Sequence, residues 1–252
     1  MKNRLISFFL LLTGFVCAQD IPQVIAHRGY WQTAGSAQNS IRSFERAAEI
    51  GVYGSEFDVH MTADSVLILF HDHTIHGMKI QEVPYSYLKD IKLSNGETLP
   101  TLREFLEVAR LTDADTRLIF ELKSQATPAL NREAARRSVE TIREKKLEDR
   151  TEFITFNLDA GKELIRLAPE MPVFYLNGDL SPEEVKTLGF AGIDYHYEVM
   201  RKNPGWFKEA KQLGLLINVW TVNDPEIIKE MAGQGVDFIT TDVPSDALQI
   251  FK

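Results

Sequence analysis

The 252-residue sequence predicts an α/β fold, a single (βα)8 TIM-like barrel carrying one extra hairpin or rim strand. Three observations lead there. β-prone apolar runs alternate with amphipathic helical runs from residue 20 to the end. The β-prone runs are almost continuously apolar, as strands are when both faces are buried in a parallel sheet. The length suits one large barrel, which typically needs about 250 residues. No linker, low-complexity tract or fixed-period repeat interrupts the pattern, so residues 19–252 are expected to form one domain.

The first strand falls at 24–27, followed by a helix at 40–49 with Ile41, Phe44 and Ala48 on one face and Gly51 beyond its end. Strands at 53–59 and 66–70 are separated only by the turn-like Thr62-Ala-Asp-Ser65. That link is too short for a crossover helix, so one of the pair is the hairpin arm or rim strand. Pro100 leads into a helix at 101–110, and a strand at 118–122 precedes a charged helix over 129–146. Strands at 153–156, 173–176, 193–197, 216–220 and 238–240 follow. Helices at 159–167, 182–188, 206–213, 225–232 and 245–251 succeed them in turn, making nine candidate strands for an eight-stranded ring.

A barrel places its chemistry at the C-terminal ends of its strands. His27, Asp58, His71, Glu121 and Lys123 all fall there. Glu56 and Asp58 lie two apart on one strand, so they share a face. Two carboxylates held together lose hydration and repel unless something positive lies between them. A hard divalent cation, Mg2+ or Ca2+, removes that difficulty, with Glu121 as a third ligand; the plainer reading pairs the acids with Arg28 or Lys123. In His27-Arg28-Gly29, glycine lets backbone approach a ligand, arginine offers a planar fork to phosphate oxygens, and histidine exchanges protons near neutrality. His71 supplies a second imidazole for acid–base work, since the rest of a zinc set is not apparent around His71-Asp72-His73. His60, His73, His76 and His196 read as surface or rim residues, with His60 the ambiguous one because it shares a face with Asp58. Lys123 is an ion-pair partner for Glu121 or a second phosphate cation. Trp220, Tyr30 and Trp31 are candidate walls of a substrate pocket.

The net charge of −8 argues against nucleic acid or an anionic membrane as a partner. The first 18 residues carry a different signature. Met1-Lys2-Asn3-Arg4 is basic, residues 5–16 are an apolar run, and Val16-Cys17-Ala18 offers small residues for cleavage, so 1–18 is expected to be a removed signal peptide. The run is shorter than the roughly 20 residues a membrane span requires. Anchoring as a lipoprotein through Cys17 is the alternative. Removing Lys2 and Arg4 from the 28 basic residues leaves 26 against 36 acidic ones, a net charge of −10. Cleavage also removes the single cysteine, so the expected product is an exported, periplasmic or secreted protein without disulfides. On so acidic a chain, an anion pocket must bring its own cations.

In order, His27-Arg28-Gly29, Glu56-Phe-Asp58, His71-Asp72 and Glu121-Leu-Lys123 resemble the pattern of the glycerophosphodiester phosphodiesterase family. The likeness runs from Ala26 to about Pro244 and includes Leu99–Leu106, Trp220-Thr-Val-Asn223 and the segment 235–244. The resemblance implies a barrel in which His27 and His71 move protons, Glu56, Asp58 and Glu121 hold Mg2+ or Ca2+, and Arg28 and Lys123 contact phosphate. It implies hydrolysis of a small glycerophosphodiester to glycerol 3-phosphate and an alcohol, with no nucleic-acid or protein partner indicated and no stable membrane insertion. A phospholipase-type phosphodiesterase is one alternative, which would need an apolar lip such as Tyr30, Trp31, Trp206 and Phe207. A non-catalytic exported sugar-phosphate binder is the other. One departure stands out: Ala37-Gln38-Asn39-Ser40 occupies the place of a family Pro-Glu-Asn-Thr. The short segment between His71 and Glu121 leaves no room for a sizeable inserted domain.

Overall fold

The computed structural model describes residues 21–252, so the signal-peptide reading and Cys17 lie outside the described residues. In chain order the elements are β1 (Gln23–Ala26), α1 (Ile41–Glu49), β2 (Gly54–Met61), β3 (Leu67–Leu69), β4 (Thr74–Ile75), β5 (Met78–Lys79), α2 (Leu102–Leu111) and β6 (Arg117–Leu122). They continue with α3 (Pro128–Lys145), β7 (Thr151–Thr155), α4 (Leu158–Leu167), β8 (Val173–Tyr175), α5 (Pro182–Thr187), β9 (Gly192–His196) and α6 (Tyr197–Lys202). The last are α7 (Gly205–Gln212), β10 (Leu216–Trp220), α8 (Pro225–Gly233), β11 (Phe238–Thr241) and α9 (Pro244–Ile250).

Eight parallel strands close a ring in the order β1, β2, β6, β7, β8, β9, β10, β11, with β11 returning to β1. The extra strand expected from the short 62–66 link is β3. It pairs antiparallel with β2, Val59 opposite Leu69, and lies outside the ring. Ser65 takes a positive φ of 63° in that link.

Strand alternation sorts side chains into two cores. Phe57, Val59, Phe120, Phe153, Ile193, Tyr195, Ile217 and Val219 point outward and bury against the helices. Ile25, Ile119, Ile154, Phe174, Leu176 and Phe238 point inward and fill the lower barrel. The polar residues interleaved with this second set therefore also point inward, at the upper mouth. A smaller cluster, including Ile68, Ile75, Ile80, Leu88 and Leu99, holds the 71–100 segment as a cap beside that mouth.

Helix starts fall one residue later than expected where a hydroxyl caps them. Ser40 accepts from the Ser43 N–H, and Thr101 forms a reciprocal capping box with Glu104. The pattern of the sequence did not foretell α6 or the β4–β5 hairpin. The hairpin is short, and its two-residue turn is His76-Gly77, both at positive φ (50° and 78°), rather than Asn-Gly. Trp206 and Phe207 do not form an apolar lip: α7 turns them into the outer core. Among the described residues no helix is long and apolar enough to cross a membrane.

Candidate active site

The ends of β1, β2, β6, β9, β10 and β11 converge on a cavity of about 160 Å³ at the barrel mouth, lined by His27, Arg28, Glu56, His71, Glu121 and Lys123 on one side. Phe156, Leu176, Asp194, Trp220 and Thr240 line the other. The residues singled out from sequence at four separate chain positions are thus brought together.

Glu56 and Asp58 share the inward face of β2, and Glu121 stands beside Asp58 on β6, where the two residues are register partners. One oxygen from each of the three carboxylates lies within 4.8 Å of the others, and all three groups are buried. Asp58 is clasped by Asn39, whose Nδ2 donates to Oδ2 at 2.9 Å while its Oδ1 accepts the Asp58 N–H. Lys123 Nζ sits 3.1 Å from Asp58 and 2.8 Å from Glu121 Oε1. The Arg28 N–H donates to Glu56 Oε2 at 2.7 Å, and its guanidinium lies 3.7 Å from Asp58 while donating to Gln38 Oε1 at 2.8 Å. Gln38 thus tethers Arg28 without neutralising it, which a glutamate would do. Arg28 adopts φ 56° and Gly29 φ 75°. A Cβ on Gly29 would meet the Ser43 backbone at 2.7 Å, so only glycine fits this exit from β1.

Electrostatics divides the three acids. Burial works against ionisation of Asp58, but Lys123, His71, Asn39 and Arg28 more than offset it and hold the carboxyl below its ordinary value. Burial, with Asp58 and Glu121 as like-charged neighbours, drives Glu56 well above the usual range. Burial and Asp58 push Glu121 up to about 7. Burial alone would depress the Lys123 ammonium, yet Asp58 and Glu121 hold it high. Glu56 Oε1 and Glu121 Oε1 are buried with no geometric hydrogen bond, and Glu121 Oε1 is held by the Lys123 ammonium as an ion pair at 2.8 Å. Buried acceptors left this way are costly. An all-oxygen set with unsatisfied carboxylates fits a divalent cation, and the cluster contains no thiolate or imidazole that would favour zinc.

The two histidines are mounted alike. Asp242 Oδ1 accepts from His27 Nδ1 at 2.8 Å, and Asp72 Oδ1 accepts from His71 Nδ1 at 2.7 Å. Each ring is thus oriented by a carboxylate, leaving its Nε2 for the cavity. Burial lowers His71, against the opposing pull of Asp58. Asp242 is itself fixed: Trp31 Nε1 donates to Oδ1 at 3.1 Å and Asn223 Nδ2 to Oδ2 at 2.8 Å. Burial resists its ionisation, but the bond from His27 and these two donors bring it down to about 2.

Several residues depart from the sequence reading or were not assigned by it. His60 is a correction: it is fully buried rather than at the rim, its Nε2 facing the His71 carbonyl at 3.3 Å, and burial lowers it to about 4. It shares the inward face of β2, but the cap segment closes over it. Tyr30 packs against the outer core, and Trp31 supports Asp242 instead of walling the cavity. Trp220 does line it, anchored by an Nε1–H donated to the Asp194 carbonyl at 2.9 Å. Asn39, Asp72, Asp194, Asn223 and Asp242 received no role from sequence. Asn223 and Asp242 stood in motifs already noticed, but nothing in one sequence says that a residue 215 positions away orients His27.

Comparisons with known proteins agree with this geometry. A family model described as the glycerophosphoryl diester phosphodiesterase family matches residues 27–246. The chain is 28% identical to the glycerophosphodiester phosphodiesterase of Caldanaerobacter subterraneus, over 91% of this chain and 97% of that one. A crystal structure of a glycerophosphodiester phosphodiesterase from Parabacteroides distasonis superposes with a TM-score of 0.90 at 58% identity, covering 92% of this chain and 97% of that chain. A phosphodiesterase from Oleispira antarctica, solved with the product sn-glycerol-3-phosphate, has a TM-score of 0.78 at 26% identity, covering 92% and 97%. With a family model spanning nearly the whole described chain, the protein belongs to the glycerophosphoryl diester phosphodiesterase family.

Proposed function

We propose that the protein is a metal-dependent phosphodiesterase that hydrolyses glycerophosphodiesters to glycerol 3-phosphate and an alcohol. The observation that carries this reading is one small cavity lined by two carboxylate-oriented histidines, two cations, and Glu56 and Glu121, with buried Asp58 completing the acidic trio behind them.

Arg28 and Lys123 bind the anionic phosphate oxygens and orient the diester across the cavity, Arg28 through its planar fork. Glu56, Asp58 and Glu121 hold a hard divalent cation, Mg2+ or Ca2+. When bound, that ion supplies Lewis-acid stabilisation of charge on the phosphate. One imidazole Nε2 takes a proton from the attacking hydroxyl, either water or the adjacent glycerol hydroxyl, as its oxygen bonds to phosphorus. The other imidazolium gives a proton to the departing oxygen as the bond from phosphorus to the alcohol breaks. Where water attacks, the phosphomonoester forms directly. Where the glycerol hydroxyl attacks, a cyclic phosphodiester forms, and water, deprotonated by the histidine that has just given up its proton, then opens the ring. On either route one water is consumed and an alcohol and a phosphomonoester are released. Asp242 and Asp72 keep each ring in the tautomer this exchange needs.

A lipid-directed reading fits less well. The cavity is smaller than the ~300–1,000 Å³ usual for drug-sized ligands, and among the described residues Trp206 and Phe207 pack into the outer core instead of flanking it as an apolar lip. Export belongs to the same proposal and is supported by the signature of residues 1–18. The assay is release of glycerol 3-phosphate from glycerophosphocholine by the wild type and by His71→Ala. The variant is expected to lose roughly 10²–10⁴-fold in turnover. Wild-type turnover in His71→Ala would remove that histidine from the mechanism.

A further inference from the structure

Opposite the acidic trio, the barrel wall carries a second polar group that the proposed mechanism does not use. Asp194 sits on the inward face of β9, where alternation sends Ile193 and Tyr195 outward. It is 1% exposed, lines the cavity, and its Oδ1 has no hydrogen-bond partner. Its register partner on β10 is Asn218, whose side chain reaches it and whose Nδ2 donates to Thr240 Oγ1 on β11 at 2.8 Å. Three adjacent strands thus present a polar strip above the apolar floor of Ile154, Leu176 and Phe174.

A carboxyl this deep, with a free oxygen aimed into a cavity, is costly unless a ligand satisfies it. The choice of ligand group is narrow. Phosphate oxygens repel a carboxylate and are already matched by Arg28 and Lys123 on the far wall. A hydroxyl donates and accepts, so it can satisfy Asp194 in either protonation state. A substrate whose phosphate lies against the cations must reach Asp194 with its small buried part, leaving the variable alcohol toward the open mouth.

We propose that Asp194 is the specificity-determining residue for the glycerol moiety, accepting a hydrogen bond from a free glycerol hydroxyl. This deepens the proposed function and rests on it. A hydroxyl-reading site discriminates strongly, because an analogue without the hydroxyl leaves the buried group unpaired.

The test is calorimetric binding to the purified full-length protein with magnesium chloride present, using glycerol 3-phosphate, inorganic phosphate and phosphocholine as probes. Asp194→Ala is expected to weaken glycerol 3-phosphate roughly 5- to 100-fold. It should leave inorganic phosphate and phosphocholine within about 2-fold, and Asp194→Asn, which keeps a hydroxyl partner, should recover most of the loss. Unchanged binding of glycerol 3-phosphate by Asp194→Ala would overturn the assignment, as would an equal loss for all three probes or a loss confined to phosphocholine. Thermal melting shows that each variant is folded; removing an unpaired buried acid is expected to hold or raise the melting temperature. Selective Asp194-dependent binding in a protein that fails to turn over glycerophosphocholine would count against the proposed reaction while leaving the glycerol subsite standing.

Discussion

The histidines are ordinary side chains made useful by their neighbours. His27 and His71 each present Nε2 because a carboxylate holds Nδ1, so the orienting acids should matter measurably, though less than the rings. Asp242→Ala is expected to lower turnover by roughly 10- to 100-fold, less than the ~10²–10⁴-fold expected for His27→Ala. Steady-state kinetics with glycerophosphocholine compares the two; equal turnover in Asp242→Ala and wild type would deny His27 its orienter. The residues a single sequence reveals are those whose neighbours along the chain carry the message. Asp58 follows Glu56 and Lys123 follows Glu121 at strand spacing, so each pair's shared face follows from geometry, and Arg28 and Gly29 follow His27 directly in the turn that leaves β1. Asn39 and Asp242 act on residues 19 and 215 positions distant, and no local pattern encodes that reach. His60 misled because alternation correctly gives its face but not the segment that covers it.

Elements owe their boundaries to small local chemistry, and the site inherits its geometry from them. Alternation gave nine of the eleven strands and eight of the nine α-helices among the described residues. The helix α6 was missed because it follows β9 without a gap and lacks the Ser-Pro start signal that marks the equally short α5. Ser181 caps α5 in a reciprocal box with Glu184. Ser181→Ala is expected to cost about 1 kcal/mol in a denaturant melt with activity retained. Gly192 is less forgiving. A Cβ there would lie 2.3 Å from the Leu216 carbonyl and 2.6 Å from the Phe174 ring, forcing β9 away from β10. Gly192→Ala should destabilise by roughly 1–3 kcal/mol or more. It should also impair glycerol 3-phosphate binding, because Asp194 stands two residues on. A variant as stable as wild type would mean that the strands have more slack than their packing indicates.

For the molecule as a whole, the barrel concentrates three buried carboxyls, only partly offset by Lys123 and Arg28, at one end of an already acidic chain. In the metal-free protein Glu56 and Glu121 titrate above their ordinary range. Their contribution to stability is present below the usual carboxylate value and is lost as pH rises through their raised range, which for Glu121 is about 7. A divalent cation replaces the bound protons, so the stabilisation it confers must grow with pH. The melting temperature with magnesium or calcium minus that with chelator is expected to widen between about pH 5 and pH 8, to several degrees at saturating metal. A difference that stays flat or narrows with rising pH would place the metal elsewhere.

The central claim is that this end of the barrel hydrolyses glycerophosphodiesters with the help of a bound cation, and phosphorus NMR of glycerophosphocholine tests it most directly. With magnesium or calcium present, the diester resonance should give way to that of glycerol 3-phosphate, and excess chelator should stop the conversion until metal is restored. No conversion under any metal condition, or conversion that continues unchanged in chelator, would contradict it.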